Sequence, residues 1–465
     1  MALTRITRIK LERFKNVTQG EVLLHNPRRP DGGSFLALYG QNGSGKTAMI
    51  DALDLLKVIM SGGAVSDRYV DLIEVGSSGS KLEFEFLIKT QNTTLNVFFD
   101  FELLKRDGDL GCGIEIGRET LSVSENNNGV RQRKTKVIDT NSDELAFIPE
   151  VRLKGLVGSR IRQSGRKDAL SLFVKRQNEH EHGRSFIFSN SFGAFIAERL
   201  KVGELDDEWK RIKEIIDGLV FFARQNLFVI SSRESSLIAL DALILSCNLQ
   251  RDGHSVHGKF AVKLTSSEIP EALLPILQRL IGCSNIVLSK LIPGLTIGVR
   301  EIGRSIMQNG EQAVTVQLMS ERNGKVFGLQ YESDGIKKLF SILHLLIAVY
   351  NDSSVTVAID EIDAGIFEYL LGELLQLLTE KGKGQLIFTC HNLRPLEMID
   401  HGYIVFTTTN PSDRYSRISN VKNTNNLRDV YYREVSLGDG KFYNHTSAID
   451  IGYSFRKAWG YAHEP

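Results

Sequence analysis

Eight consecutive residues, Gly40, Gln41, Asn42, Gly43, Ser44, Gly45, Lys46 and Thr47, fit the pattern G-x-x-x-x-G-K-[ST], with Ala48 next in line. Glycines at this spacing let successive backbone N–H groups close around phosphate oxygens. The lysine ammonium then reaches the outer phosphates, and the threonine hydroxyl is a ligand for Mg²⁺. A β-type run at 34–39 precedes the pattern and a helical run at 47–60 follows it, so a polyphosphate would rest on a helix N-terminus. That context predicts a nucleotide site at 40–48 against the alternative of an ordinary glycine turn.

Two carboxylates are the next candidates. Residues 355–359, Val-Thr-Val-Ala-Ile, read as a buried parallel strand and end in Asp360 and Glu361. At such a strand end Asp360 would hold Mg²⁺ through water, and Glu361 would polarise an attacking water. Alone, the pair would read as an acidic loop; beside the glycine-rich run it reads as a Walker B strand. Residues 331–338 open a helix expected to run to about 350, with Ser333 as its N-cap. Its serine hydroxyl, the Gly335 amide and the lysines that follow make an anion site whose expected ligand is a second γ-phosphate. A further buried-strand pattern at 385–390 ends in His391, an imidazole able to sense a γ-phosphate.

The order of these parts, P-loop, S-x-G-x-[KR] on a helix, Asp-Glu, then His, resembles the ABC ATPase superfamily. Within it the chain is similar to the branch that includes SMC proteins, RecF and repair ATPases, whose first strand 6–16 resembles in its Phe-Lys-Asn ending. Residues 331–339 and 358–375 are similar to bacterial AAA-family ATPases of anti-phage and abortive-infection operons, of the RloA, AbiL, Septu and PARIS type. The likeness spans both ends of the chain and not the middle. It implies ATP and Mg²⁺ as cofactors, Lys46, Glu361 and His391 as catalytic residues, and residues 40–48 as the nucleotide cradle. It also implies Thr47 and Asp360 at the metal, and Ser333, Asp334, Gly335 and Lys337 as a signature that completes the site of a second subunit. A homodimer or higher oligomer would then close around two nucleotides. Asp334-Gly335 stands where transporters have Gly-Gly, and Ile362 stands where a Pro is usual, which weakens a transporter reading. Asp363, Ala364 and Gly365 occupy the D-loop position with a poor local match. Gln163, Gln177 and Gln225 are all open as the Q-loop glutamine.

The expected fold is an α/β P-loop NTPase of ABC-ATPase, SMC/RecF head-like, type: a mixed sheet with an antiparallel β subdomain and an inserted helical arm. An N-terminal lobe is expected at 1–145, the arm at 146–230 and a C-terminal lobe at 231–465. Alternation at 81–101 predicts a hairpin, residues 126–129 a turn, and 168–225 helices, most clearly at 192–222. The chain has 465 residues, 42% hydrophobic and 24% charged, with a net charge of +1, so it can bury a large core. Four cysteines without C-x-x-C spacing argue against zinc and for a reducing cytosol. No apolar leader and no membrane-length apolar run stand out, the nearest being 339–350, so a cytoplasmic protein without membrane contact is expected.

A basic set, Arg131, Arg133, Lys134, Lys136, Arg152, Lys154, Arg160, Arg162, Arg166, Lys167, Lys175 and Arg176, is either a nucleic-acid footprint or a solvated face. His180 and His182 lack metal-ligand spacing and read as a loop. The stretch after His391, with a strand-like piece at 403–408, leaves little room for a nuclease domain. The lead expectation is an ATPase, forming ADP and phosphate, that acts as sensor or scaffold for a separate effector protein, a nuclease, in anti-phage defence. The alternative is a RecF-like repair ATPase acting on DNA; a transporter subunit or a nuclease in its own right ranks below both.

Overall fold

Period-two alternation in Leu3–Phe14 (β1) buries Ile6, Ile9, Leu11 and Phe14 and leaves Arg8, Lys10 and Glu12 on the wetter face. The computed structural model describes residues 3–24, 33–90, 93–108, 111–127, 130–157, 164–251, 254–308, 310–417, 426–437, 442 and 448–463. After β1 come Val17–Leu23 (β2), Ser34–Tyr39 (β3), Lys46–Met60 (α1), Gly79–Lys89 (β4), Thr94–Gly108 (β5), Gly111–Asn127 (β6), Val130–Arg131 (β7) and Thr135–Asp139 (β8). All of these strands except β3 form one antiparallel sheet, ordered β2-β1-β4-β5-β6-β7, with β8 also on β6. The expected hairpin at 81–101 is β4–β5. The expected turn at 126–129 falls partly outside the described residues.

Residues 118–142 carry little apolar signal, yet much of this stretch is strand. Several of its polar side chains are buried, and Glu119, fully buried, accepts from Ser185 Oγ at 2.9 Å and from the Phe186 and Ile187 amides at 3.0 and 3.2 Å. The helices that follow are Glu150–Val157 (α2), Ser164–Glu181 (α3), Asn190–Lys201 (α4) and Asp207–Phe221 (α5), and those partners lie in the connection between α3 and α4. The helical pair expected at 192–222 is α4 and α5, capped by Ser189 and Asp206, whose side chains accept from the Phe192 and Trp209 amides. Phe147, Phe186, Phe192 and Trp209 pack ring against ring beneath them.

The chain then returns through Leu227–Ile230 (β9) and Ser232–Ser236 (α6) to a region in which the sequence predicted no elements. It contains Ala242–Arg251 (β10), His254–Lys263 (β11), Ser267–Pro270 (β12), Leu274–Leu291 (α7), Leu295–Ile306 (β13), Gln312–Arg322 (β14) and Lys325–Gly328 (β15). β10 and β11 pair as a hairpin, while β12-β14-β13, with β15 on β14, make a four-stranded sheet. Residues Glu271–Leu291, with a mean hydropathy of 1.4, are long and apolar enough to cross a membrane by length and composition. The expectation that no such run exists is corrected here: Gln278, Ser284 and Asn285 interrupt the run without lowering its mean far. In this fold α7 is half-buried, placing Leu277, Leu280, Ile281 and Leu288 in the core.

The last elements are Asp334–Asn351 (α8), Thr356–Ile359 (β16), Glu368–Lys381 (α9), Gln385–Thr389 (β17), Pro395–Met398 (α10), Ile404–Thr407 (β18), Tyr415–Ser416 (β19), Leu427–Leu437 (α11) and Ala448–His463 (α12). A central sheet runs β19-β18-β3-β17-β16-β9, parallel except for β19. Its residues alternate between two cores. Leu36, Leu38, Ala358 and Ile387 face the core that holds α1; Phe35, Tyr39, Val357, Ile359 and Phe388 face the one that holds α8 and α9. Burial on both faces is why these strands read as unbroken apolar runs. Buried Gln385 ties the two sheets together, donating to the Ile6 carbonyl at 2.8 Å and accepting from the Ile6 amide at 2.9 Å. Because β3, β16 and β17 are parallel, the residues that follow each of them arrive at one edge of the sheet.

Candidate functional site

The glycine-rich loop leaves β3 through three positive-φ glycines, Gly40 (152°), Gly43 (75°) and Gly45 (92°). At Gly40 a Cβ would lie 1.9 Å from Thr407 Oγ1, so no side chain fits. Lys46 opens α1 and is 6% exposed; its Nζ donates to the Gly40 and Gln41 carbonyls at 2.8 and 2.9 Å. Burial lowers its pKa, against the opposing pull of Asp360 and Glu361. The outer rim of the loop is held by residues distant in sequence. Asn16 Nδ2 donates to the Gly43 carbonyl, the Ser44 hydroxyl pairs with that of Thr407, and the Tyr415 hydroxyl donates to the Gly45 carbonyl at 2.8 Å.

At the end of β16, Asp360 is fully buried. Its Oδ1 accepts from Thr389 Oγ1 at 2.6 Å and stands 3.4 Å from Thr47 Oγ1, while its Oδ2 is buried without a hydrogen-bond partner. A threonine hydroxyl beside a carboxylate with a spare oxygen is an all-oxygen donor set that fits a hard divalent cation. Glu361 takes a left-handed φ of 50° and donates its amide to Thr389 Oγ1 at 2.7 Å, so one hydroxyl positions both acids. Asp363 Oδ2 accepts from the His391 and Asn392 amides at 2.9 and 2.7 Å, fixing the strand end that carries the imidazole.

These groups line a cleft of about 590 Å³ bounded by residues 42–48, Asp360, Glu361 and His391. Lys15, Asn16, Asp71, Ile73, Val75 and Thr389 complete its wall. None of these six, nor Thr407 or Tyr415, was among the sequence candidates. Thr389 lies within the predicted strand, but its hydroxyl role follows from the pairing of β16 with β17, which spacing does not reveal.

Ser333, Asp334, Gly335 and Lys337 do not line this cleft. Ser333 caps α8, accepting from the Ile336 amide at 3.4 Å, and with Asp334 it is open to solvent. Lys337 Nζ lies 3.1 Å from Asp334 Oδ1. Glu332, nearly buried, accepts from Ser320 Oγ at 2.7 Å and pins the helix start to β14. Behind it, a Cβ on Gly335 would lie 1.8 Å from the Gly365 carbonyl, a backbone contact that only glycine permits.

Other candidates lie elsewhere. Ile230 pairs with Ile359, so Gln225, which precedes β9, is at the end of that strand away from Asp360. Gln177 is exposed on α3, and Gln163 lies outside the described residues. Much of the basic set is engaged. Arg152 pairs with Glu208, Lys154 with Glu150 and Lys136 with Asp139, and Arg176 is buried and donates to the Thr140, Ser142 and Leu145 carbonyls. Lys134 covers the Phe98 ring and Lys175 the Phe195 ring. Arg133, Arg166 and Lys167 are exposed; Arg160 and Arg162 lie outside the described residues. His180 is 3.5 Å from the Glu119 carboxylate, and no metal-holding cluster of His, Cys, Asp and Glu occurs among the described residues.

A parallel sheet that delivers a glycine loop, an acidic pair and a histidine to one edge, flanked by an antiparallel sheet, defines an α/β P-loop NTPase. Residues 35–397 match the family described as "AAA domain, putative AbiEii toxin, Type IV TA system", and the chain belongs to it. No curated protein matches the chain. Among solved structures it is similar to the Smc head domain bound to the C-terminal domain of ScpA from Pyrococcus furiosus, at 14% identity over 90% of this chain and 97% of that one, with a TM-score of 0.39. The SMC head domain from Thermotoga maritima is 15% identical over 89% and 99%, with a TM-score of 0.37. The recombination mediator RecF is 12% identical over 89% and 98%, with a TM-score of 0.36. At such values nothing about this chain's activity follows from them.

Proposed function

We propose that this chain binds Mg–ATP in the cleft above the P-loop and hydrolyses it to ADP and phosphate. The observation that carries this is the shared hydroxyl of Thr389, which sets Asp360 beside Thr47 and Glu361 beside the P-loop within one cleft. Lys46 and the amides of 43–48 would bind the phosphates, and Thr47 and Asp360 would hold Mg²⁺, which neutralises phosphate charge when bound. Glu361 would orient the attacking water and take its proton, with His391 at the γ-phosphate. The test is steady-state ATP turnover by the purified chain. Glu361→Gln should keep nucleotide binding and lose about a hundredfold or more in kcat, and Lys46→Ala should lose binding. Equal turnover in all three would refute the assignment.

The exposed Ser333 and Asp334, absent from their own cleft, support a second copy as their partner, Ser333 and Gly335 of one subunit facing Lys46 and Asp360 of the other. The division at 1–145, 146–230 and 231–465 is retained as lobe, arm and lobe, the arm sharing its apolar core with the antiparallel sheet. We further propose a cytoplasmic sensor or scaffold controlling a separate effector, a nuclease, in anti-phage defence; the family description, which names a toxin–antitoxin system, supports only a role in such a system. A pull-down of Glu361→Gln with ATP, from the native locus, should recover a stoichiometric neighbour-encoded protein. Recovery of DNA alone would favour the repair reading instead, with Arg133, Arg166 and Lys167 as its exposed contacts.

A further inference from the structure

The first turns of α8 hold a lysine that the proposed mechanism does not use. Ser333 and Asp334 are open to solvent, but Lys338 is 2% exposed. Four acids act on it electrostatically: Asp360 at the end of β16, Glu361 and Asp363 in the loop beyond, and Glu234 on α6, which itself pairs with Lys259 of β11. Burial pushes the Lys338 ammonium down to about 8 while these carboxylates pull it up. Asp360 Oδ2 and Asp363 Oδ1 are both buried without hydrogen-bond partners, so the acid cluster carries more negative charge than its own hydrogen bonds compensate.

α8 also touches the loop after β16 backbone to backbone, at Gly335 against Gly365, where Gly365 holds a φ of 73°. No side chain intervenes, so the start of the helix follows that loop closely. One element therefore has two ends with different duties. Its N-terminus is open to solvent, while its buried flank carries Lys338 within electrostatic reach of the carboxylates of its own site.

We propose that Lys338 is a positioning residue through which the Asp360–Glu361–Asp363 cluster of one subunit sets the angle of that subunit's own α8, and hence the placement of Ser333 at its mate's ATP. This rests on the dimeric ATPase proposed above. The pull of the carboxylates on Lys338 orients the helix, and the Gly335–Gly365 contact ties its start to the loop that carries them.

The test uses the full chain carrying Lys338→Met or Lys338→Arg, with Mg–ATP affinity, kcat and, in a Glu361→Gln background, ATP-driven dimerisation all measured. Lys338→Met should bind Mg–ATP within about twofold of the parent, lose about tenfold in kcat and dimerise about tenfold more weakly. Lys338→Arg should recover kcat and dimerisation to within about threefold. Unchanged kcat and dimerisation in Lys338→Met would overturn the proposal, as would a loss in both variants that tracks a lowered melting temperature. A parent chain without ATP turnover or ATP-driven dimerisation would overturn the dimeric ATPase reading and this one with it.

Discussion

Thr389 is the residue on which the two acids depend, since its Oγ1 donates to Asp360 and accepts from the Glu361 amide. Thr389→Val keeps the shape and removes the hydroxyl, leaving the Glu361 amide unpaired and Asp360 Oδ1 with only the long Thr47 contact, a loss of about 1–3 kcal/mol. The expected outcome is a kcat lower by about tenfold, an ATP affinity within a few-fold of the parent and a lowered melting temperature, read by turnover and calorimetry. Lys57 makes a second prediction at this scale. Its Nζ donates to the Leu227 carbonyl at 2.6 Å, and burial, reinforced by Lys259, pushes its pKa down to about 8. Between about pH 8 and the unfolded value near 10.4 the unfolded chain binds more protons, so stability rises with pH across that window. Urea unfolding should show the parent gaining on Lys57→Met by on the order of 2–3 kcal/mol from pH 7 to pH 10.5, and parallel curves would contradict the assignment. Lys46, Thr47, Asp360, Glu361 and His391 were legible in the sequence because each ends or begins an element at a fixed offset. Thr389, Asn16 and Tyr415 were not, because their partners, 27 to 370 residues away, are set by tertiary pairing and not by spacing.

Among elements, those with a strong apolar period were legible: β3, α1, α8, β16 and β17 fall where the runs at 34–39, 47–60, 336–350, 355–359 and 385–390 place them. Elements that alternate polar with apolar residues under a covering layer were not, as in β6, whose Glu119 and Ser122 are buried. The hairpins between β10 and β15 were missed because their outer halves are exposed and mix polar with apolar residues, as at 301–306. The β18–β19 hairpin has the clearest consequence for the site. Tyr415 crosses to the Gly45 carbonyl and Thr407 to Ser44, so this hairpin braces the outside of the P-loop. Removing the Tyr415 hydroxyl in Tyr415→Phe forfeits about 0.5–1.5 kcal/mol of that bracing. Mg–ATP affinity should fall roughly two- to tenfold with kcat at saturation little changed, measured by titration with a fluorescent ATP analogue.

At the scale of the molecule, two apolar cores meet on opposite faces of one parallel sheet, and the carboxyl edge of that sheet carries the cleft. The antiparallel sheet supplies Lys15 and Asn16 to one wall, and α8 starts outside the cleft with its serine exposed. A single chain so built holds a nearly complete site and displays a helix N-terminus that its own site does not use. In the proposed dimer the displayed helix end of one copy closes the cleft of another around ATP. Sedimentation velocity of Glu361→Gln, with and without Mg–ATP, tests it most directly. A species of twice the monomer mass should form only with Mg–ATP and be lost on adding Lys46→Ala or a bulky Ser333→Arg. A monomer under all conditions, or a dimer indifferent to nucleotide and to Ser333, would contradict it.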